Sequence, residues 1–309
     1  MAIKDKWLID VPVATIWTSF DSARELDQHA ITNPAAVDLW LKGLTYETSL
    51  ELCNQNLVQS QVLYGEEVNI LEEKEEWVHV LVPTQFSSKD IGGYPGWLPK
   101  DQLIQREDWA INDCPVVVIS AKKAFLYDYY RNPQLTLSYQ TILPLICRDE
   151  QWVQVQTPTG EGFLKVEDVG VYESMQSLPK GNGKAIVSAG EQFLQLPYLW
   201  GGMSSFGYDC SGFSYSMCKA NGYIIPRDAH DQADFGKRVD LEEIKPGDLL
   251  FFAYEEGKGR IHHVGIYYGE GKLLHSPNTG KSIEIIDLKN TIYEKELCAA
   301  RRYWQETGE

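Results

Sequence analysis

Two stretches of the chain share one alternation of apolar and polar positions. Residues 77 to 84 read WVHVLVPT and residues 152 to 159 read WVQVQTPT. Each has period two, the spacing of a strand with one buried face, and each follows an acidic turn. The match continues into GWLPKDQL from Gly96 and GFLKVEDV from Gly162, a second short strand followed by a turn. The first copy holds nine more residues between its strands, within QFSSKDIGGYPG, and this extra segment carries Tyr94. Short β-rich runs punctuated by Gly and Pro predict small β-barrels, here two in tandem.

The first unit starts at VPVATIW and is interrupted where ARELDQHA and AAVDLWLKGLTYETSLELC show helical periodicity. A first β-barrel is therefore expected over 8–110 with a helical insertion over about 21–60, and a second over 111–176. The repeated pattern resembles bacterial SH3 domains. SLPKGNGK, rich in Ser, Pro and Gly, marks a linker at 177–184.

Beyond it the pattern changes. Residues 185 to 195 have helical spacing, whereas DLLFFAY, RIHHVGIYYG, KLLHSP and SIEIID read as successive antiparallel strands joined by tight turns such as Gly269-Glu270-Gly271. Helices first and strands later give an α+β domain over 185–309.

Length and composition agree with this division. A chain of 309 residues exceeds one ordinary core, and 43% hydrophobic with 23% charged residues is a globular balance. The formal charge of -16, from 44 acidic against 28 basic side chains, has the wrong sign for phosphate backbones or anionic lipid, so neither nucleic acid nor membrane is expected as a partner. The opening MAIKDKWLIDVPVATIW has no uninterrupted apolar run with a small-residue cleavage site, and no stretch approaches the ~18 apolar residues of a membrane span. A cytoplasmic monomer is expected, although an exported protein with its signal removed would read the same. Cysteines 53, 114, 147, 210, 218 and 298 form no C-x-x-C pair, which argues against a zinc ribbon or redox motif.

Cys210 is placed differently from the other five. Phe213, Met217 and Cys218 follow it at helical intervals, Gly222 is placed to end the helix, and Asp209 or Ser211 can cap its start. Cys210 then sits in the first turn, where unpaired N–H groups and the macrodipole favour an anion, and its thiol is expected to be lowered from about 8.5 to between about 3.5 and 7.5. Nucleophilic use requires a histidine. In RIHHVGIYYG, His262 shares a strand face with Val264 and Ile266, and His263 shares the other with Gly265 and Tyr267. Alternation alone does not choose between them. If Gly269-Glu270-Gly271 makes a three-residue loop with Gly271 left-handed, Gly265 falls opposite His275, so His263 and His275 become diagonal neighbours on one face and His262 points away. Cys210, His263 and His275 would then form a triad, with His275 orienting His263. A zinc site from the same three residues is the rival, with ligands less compactly spaced than usual. No metal or cofactor is expected.

Tyr198-x-Trp200-Gly201-Gly202, Asp209-Cys210-Ser211-Gly212-Phe213, Pro226-Arg227, Lys245-Pro246-Gly247-Asp248-Leu249-Leu250-Phe251-Phe252 and His263-Val264-Gly265-Ile266-Tyr267 resemble, in order and spacing, the NlpC family of cell-wall cysteine peptidases. The match covers about residues 183 to 305. With two SH3-like units before it, the chain is similar to γ-D-glutamyl-L-diamino acid endopeptidases of muropeptide recycling. The resemblance implies a papain-like last domain and a Cys210, His263 and His275 triad. It implies cleavage of the γ-D-Glu to diamino acid bond in peptidoglycan-derived peptides with a free N-terminal L-Ala. It further implies an oxyanion held by the Cys210 N–H and the Tyr198 hydroxyl, and a substrate pocket that includes Asp209, Ser211, Arg227 and Asp228. Arg227 suits a free α-carboxylate and Asp228 an ammonium; Trp200 would wall the pocket, and Tyr94 would close its amine end. Two positions depart from the family pattern: Ala229 stands where many relatives carry Ser, and Val58, Gln59 and Ser60 stand where an acid is expected. The competing functional readings are a peptidoglycan-binding wall protein and an amidase or acyltransferase on the same fold.

Overall fold

The computed structural model describes residues 6–109 and 111–305. The chain divides into two compact units, one of residues 1–83, 94–178 and 204–206 and the other of residues 84–93, 179–203 and 207–309.

The first unit holds two seven-stranded antiparallel sheets where the sequence predicted barrels. The first sheet comprises β1 (Lys6–Ile9), β2 (Val13–Trp17), β3 (Val58–Leu63), β4 (Glu67–Lys74), β5 (Trp77–Val82), β6 (Tyr94–Pro99) and β7 (Leu103–Arg106), in the order β3-β2-β6-β5-β4-β1-β7. Its alternation holds over the first half of β5, where Val78 and Val80 lie in the core and Trp77 and His79 are half-buried, and stops at Leu81, which is buried too. Helices α1 (Gln28–Ile31), α2 (Val37–Gly43) and α3 (Tyr46–Asn54) lie between β2 and β3. Trp40 of α2 packs on Trp17, centroids 6.2 Å apart, and donates its indole N–H to buried Asp27 at 2.7 Å. Arg24 also holds Asp27 through Nε and Nη2, so the buried carboxylate is paired, as a desolvated charge must be.

The second sheet comprises β8 (Val116–Ile119), β9 (Lys123–Tyr127), β10 (Pro133–Ser138), β11 (Ile142–Arg148), β12 (Trp152–Thr157), β13 (Gly160–Lys165) and β14 (Val169–Tyr172), in the order β10-β9-β13-β12-β11-β8-β14. Leu8, Tyr64 and Trp109 from the first domain join its core of Val117, Leu137, Leu143 and Val153. The two β-rich domains thus share one apolar cluster, which ties them by burial and not only by the chain between them.

After the second sheet the chain forms α4 (Gly183–Glu191), the two-residue strands β15 (Met203–Ser204) and β16 (Gly207–Tyr208), α5 (Cys210–Lys219) and α6 (Ala229–Asp234). There follow β17 (Lys237–Arg238), β18 (Leu249–Ala253), α7 (Tyr254–Gly257), β19 (Ile261–Gly269), β20 (Lys272–His275), β21 (Glu284–Asp287), α8 (Ile292–Glu296) and β22 (Leu297–Arg302). The sheet order is β17-β22-β18-β19-β20-β21, which leaves β18 and β19 central, the first buried throughout and the second along its middle. Phe213, Met217 and Cys218 seat α5 in the core, and α5 packs against β19. Buried Asp248 accepts from Arg302 Nε and Nη2 at 2.8 and 2.7 Å and from the Trp304 indole at 3.0 Å, which ties the turn before β18 to the chain end beyond β22.

Residues 84–93, where the first sequence repeat is longer than the second, pack with this second unit. Tyr215 donates its hydroxyl to the Thr84 carbonyl at 2.6 Å, the Arg227 N–H reaches the Phe86 carbonyl at 2.9 Å, and Phe86 meets Phe235 edge-on at 5.0 Å. The Ser88 N–H donates to Asp231 at 3.1 Å. The insertion in the repeat is thereby a strap of the α+β domain.

The β19–β20 hairpin differs from the three-residue loop expected. Glu270 and Gly271, with φ of 53° and 73°, form a two-residue loop closed by the Gly269–Lys272 pair, and the register shifts between Tyr267 and Gly269. The bulge takes up the residue that the shorter loop gives back. Ile266 therefore faces Leu274, and the next step along the ladder puts Gly265 opposite His275. A side chain at Gly265 would approach His275 Cβ to 3.0 Å and Leu273 Cδ1 to 2.7 Å, so the glycine leaves room for His275 across the strands. No helix among the described residues is long and apolar enough to cross a membrane.

Candidate active site

Asp209 is the cap of α5: its carboxylate accepts the Gly212 N–H at 2.7 Å, which leaves Cys210 as the first helical residue. The same carboxylate accepts both terminal nitrogens of Arg227, at 3.2 and 2.7 Å, and the Ser211 hydroxyl at 3.2 Å. Arg227 Nη1 also reaches the Ser211 hydroxyl at 2.8 Å. Gln232 completes the bracket by donating to the Ser211 and Pro226 carbonyls at 3.0 and 2.8 Å. The first turn of α5 is held rigidly in three directions, and Cys210 is half-buried at its head.

The backbone N–H groups of Val264 and Ser211 favour the anionic form of the Cys210 sulfur, and α5 packs on β19, the strand of Val264 and His263. His263, 3% exposed, turns Nε2 to His275 Nδ1 at 2.8 Å. Ring contacts enclose the pair: Phe252 lies 5.7 Å from His263, and Tyr293 of α8 stands 5.1 Å from His263 and 5.0 Å from His275, edge-on to the latter at 88°. His262 faces elsewhere, stacked on Tyr254 at 4.1 Å with its Nε2 3.0 Å from Glu296. The structure joins His263 to His275, packs the Cys210 helix on the strand that carries His263, and turns His262 elsewhere. His275 Nδ1 is engaged by His263, so the zinc reading would have to give up that bond.

The electrostatics correct one expectation. Burial, with the Asp209 carboxylate second, pushes the Cys210 thiol up to about 12, against the lowering effects of Val264, Arg227 and Ser211. The helix start does favour an anion, but loss of water outweighs it. Burial likewise drives His263 well below its ordinary value, helped by His275 and His262, and takes His275 down to about 3, helped by Lys281. Each of these shifts disfavours the charged form of its group. A thiol beside a neutral imidazole can transfer its proton as the sulfur attacks, and the charges then appear only in the transition state.

The remaining predicted residues are distributed as follows. Tyr198 and Trp200 are half-buried on the segment before β15; the Tyr198 N–H bonds the Lys281 carbonyl at 2.9 Å, and Tyr198 bridges Tyr208 just before Asp209. Asp228 precedes α6, half-buried, with Lys89 Nζ at 3.3 Å and Arg227 Nη1 at 4.0 Å. Ala229, the position of the missing serine, opens α6. Tyr94 belongs to the first unit, where it is 2% exposed in the core with Ile16, Val62 and Val80. Gln59 donates to Thr18 and Asn56 at 2.7 and 2.8 Å, also in the first unit. Among the described residues, one group could gather on a metal ion, Asp228, His230 and Asp231.

Sequence reasoning missed Tyr293, Lys89 and Glu284. Tyr293 lies in KNTIYEKEL, where nothing marks it. Lys89 belongs to the inserted strap, which the repeat comparison had exposed without giving it a place. Glu284 was within reach: SIEIID read as a strand after KLLHSP, and the pairing of that hairpin sets His275 opposite Glu284.

Comparison with known proteins gives three family matches along the chain. The NlpC/P60 family model matches residues 195–302, the bacterial dipeptidyl-peptidase Sh3 domain model residues 55–103, and the YKFC SH3b2 domain model residues 119–172. The γ-D-glutamyl-L-lysine dipeptidyl-peptidase of Bacillus subtilis (strain 168) is 53% identical over 294 residues, which span 95% of this chain and 97% of the relative. The protein of the same name from Bacillus cereus (strain ATCC 10987 / NRS 248) is 40% identical, over 96% of this chain and 91% of the relative. The crystal structure of an NlpC/P60 family protein from Bacillus cereus ATCC 10987 superposes with a TM-score of 0.94 at 39% identity, covering 98% of this chain and 100% of that one. The two β-rich domains are SH3b-like, and the α+β domain is of NlpC/P60 type. Likeness that runs nearly end to end in both relatives, at identities far above what a shared fold requires, makes this chain a member of the NlpC/P60 peptidase family.

Proposed function

We propose that the protein is a cysteine peptidase that hydrolyses the γ-D-glutamyl to L-diamino acid bond of peptidoglycan-derived peptides with a free N-terminal L-Ala. The observation that carries the chemistry is the 2.8 Å contact of His263 Nε2 with His275 Nδ1 beside a cysteine at the head of α5. The names of the two full-length relatives support the bond and the release of a dipeptide.

With Nε2 turned to His275, the other ring nitrogen of His263 is the one available to Cys210. As the sulfur attacks the γ-carbonyl, His263 takes the thiol proton and then gives it to the departing amine; water cleaves the thioester by the reverse use of the same base. The first N–H groups of α5 have no intrahelical acceptor, so the Cys210 N–H suits a developing oxyanion, with the Tyr198 hydroxyl as its partner.

The setting of Arg227 changes the role proposed for it. It is 1% exposed and bonded to Asp209 and Ser211, so it acts by holding that pair in place and not by meeting a substrate carboxylate. Asp228, accessible and acidic, is the group for the L-Ala ammonium. The test is mass spectrometry of products from L-Ala-γ-D-Glu-L-Lys, its diaminopimelate counterpart and the N-acetylated forms. Release of the L-Ala-D-Glu dipeptide by the wild type but not by Cys210→Ser is expected. Cleavage elsewhere in the peptide, or turnover by the serine variant, would overturn the reading.

A further inference from the structure

Buried polar atoms are almost always partnered, yet His275 Nε2 has no hydrogen-bond partner although His275 is fully buried. The nearest acid is Glu284, whose Oε1 lies 3.7 Å from that nitrogen. The two residues face each other across the β20–β21 ladder, so the backbone fixes their proximity on one face of the sheet. We propose that Glu284 is a positioning residue that extends the Cys210, His263 and His275 relay by a fourth member, a statement that rests on the cysteine-peptidase reading above.

The argument is one of proton bookkeeping along the two rings. For His263 to accept a proton from Cys210, its free nitrogen must be bare, so its own proton sits on Nε2 and is donated to His275 Nδ1. His275 must then carry its proton on Nε2. The acid nearest that N–H is Glu284, whose carboxylate accepts it after a small rotation of a partly exposed side chain. Glu284 thus selects the tautomer of His275, which in turn selects that of His263. When His263 becomes an imidazolium, the carboxylate lies at the far end of the relay and stabilises the charge. Other charged or titratable groups face the same rings. Lys281 opposes a charge on His275, His262 opposes one on His263, and Tyr293 packs on both rings without carrying charge near neutral pH. Glu296 is held by His262, while Asp209 and Arg227 act on Cys210. Glu284 is the acid placed against the open nitrogen.

Two measurements test this. Nitrogen-15 NMR of the wild type at neutral pH should show His275 protonated at Nε2; protonation at Nδ1 overturns the proposal without any variant. In Glu284→Gln, loss of the negative charge lowers the proton affinity of His263, so the acid limb of kcat/KM moves to lower pH by about half a unit to one unit. Because the imidazolium forms in the transition state, the plateau falls about three- to tenfold, the same shift expressed as a rate. A plateau that falls with the acid limb unmoved marks a merely structural role and also overturns it. Wild-type turnover that is insensitive to thiol alkylation would count against the cysteine reading itself, whereas thiol-dependent turnover with an unaltered Glu284→Gln profile counts only against Glu284.

Discussion

Arg227 grips Asp209 with both terminal nitrogens, at 3.2 and 2.7 Å, immediately before the residue that opens the nucleophile helix. Removing one partner strands the other. Arg227→Met should therefore destabilise the α+β domain by about 3 to 5 kcal/mol, the cost of leaving a buried carboxylate unpaired. Arg227→Lys keeps the charge but not the two-pronged geometry and should fall between. Denaturant midpoints of the two variants check the order; equal stability of wild type and Arg227→Met would show that the bracket around Cys210 does not depend on this pair.

The two adjacent histidines should respond oppositely to truncation. His263→Ala removes the base and should lower kcat by about 10²- to 10⁴-fold. His262→Ala deletes a ring stacked on Tyr254 and bonded to Glu296, outside the relay, and should cost less than tenfold. Steady-state kinetics on the same peptide decide. A dead His262→Ala with an active His263→Ala would reverse the strand-face assignment.

What the sequence made legible here was whatever depends on periodicity. The alternation WVHVLVPT and WVQVQTPT placed β5 and β12, and the helical spacing behind Cys210 placed α5. The His263–His275 neighbourhood also emerged, although by a different turn: a two-residue loop with a bulge keeps the same register as the three-residue loop assumed, and strand pairing senses only the sum. What stayed hidden depends on desolvation and on long-range packing. A helix start argued for a lowered Cys210 thiol, but the thiol's loss of water where α5 packs on β19 is a tertiary fact that no local pattern carries. Tyr293 reaches the site from α8, thirty residues beyond His263, and residues 84–93 join a domain that begins far downstream in the chain.

The resting charges predict how stability varies with pH. His275 binds its proton near 3 when folded and near 6.5 when unfolded, so below about pH 6.5 the unfolded chain takes up the extra proton and stability falls as pH drops toward 3. Cys210 behaves in the opposite sense: its thiol is held near 12 against an ordinary 9.0, so above about pH 9 the unfolded chain releases the proton first and stability falls as pH rises. His275→Gln should flatten the acid side by up to about 1.4 kcal/mol per pH unit, and Cys210→Ser the alkaline side by a similar slope. Denaturant titrations at pH 4.5, 7 and 10 measure both. An acid slope unchanged in His275→Gln would mean that the ring is already protonated in the fold.

The strap of residues 84–93 leads to a prediction about the amine end of the substrate. Lys89 Nζ stands 3.3 Å from Asp228, and both side chains keep some access to solvent. If Asp228 receives the L-Ala ammonium, Lys89 is a cation already at the place where the substrate's cation must bind. Each would weaken the other, and the lysine has to swing away for the peptide to enter. Partly exposed pairs of this kind are worth up to about 1 kcal/mol, which corresponds to at most about fivefold in affinity. Lys89→Met should therefore lower KM for the free-amine peptide by about two- to fivefold with little change in kcat, since the competing charge is lost but the reacting atoms are untouched. Asp228→Asn should raise that KM and make it resemble the KM of the N-acetylated peptide, which carries no ammonium for either residue to sense. The acetylated peptide supplies the control, because its KM should be nearly the same in all three proteins. A rise in the free-amine KM on removing Lys89 would show that the lysine helps to hold the peptide, and the competition between the two cations would have to be abandoned.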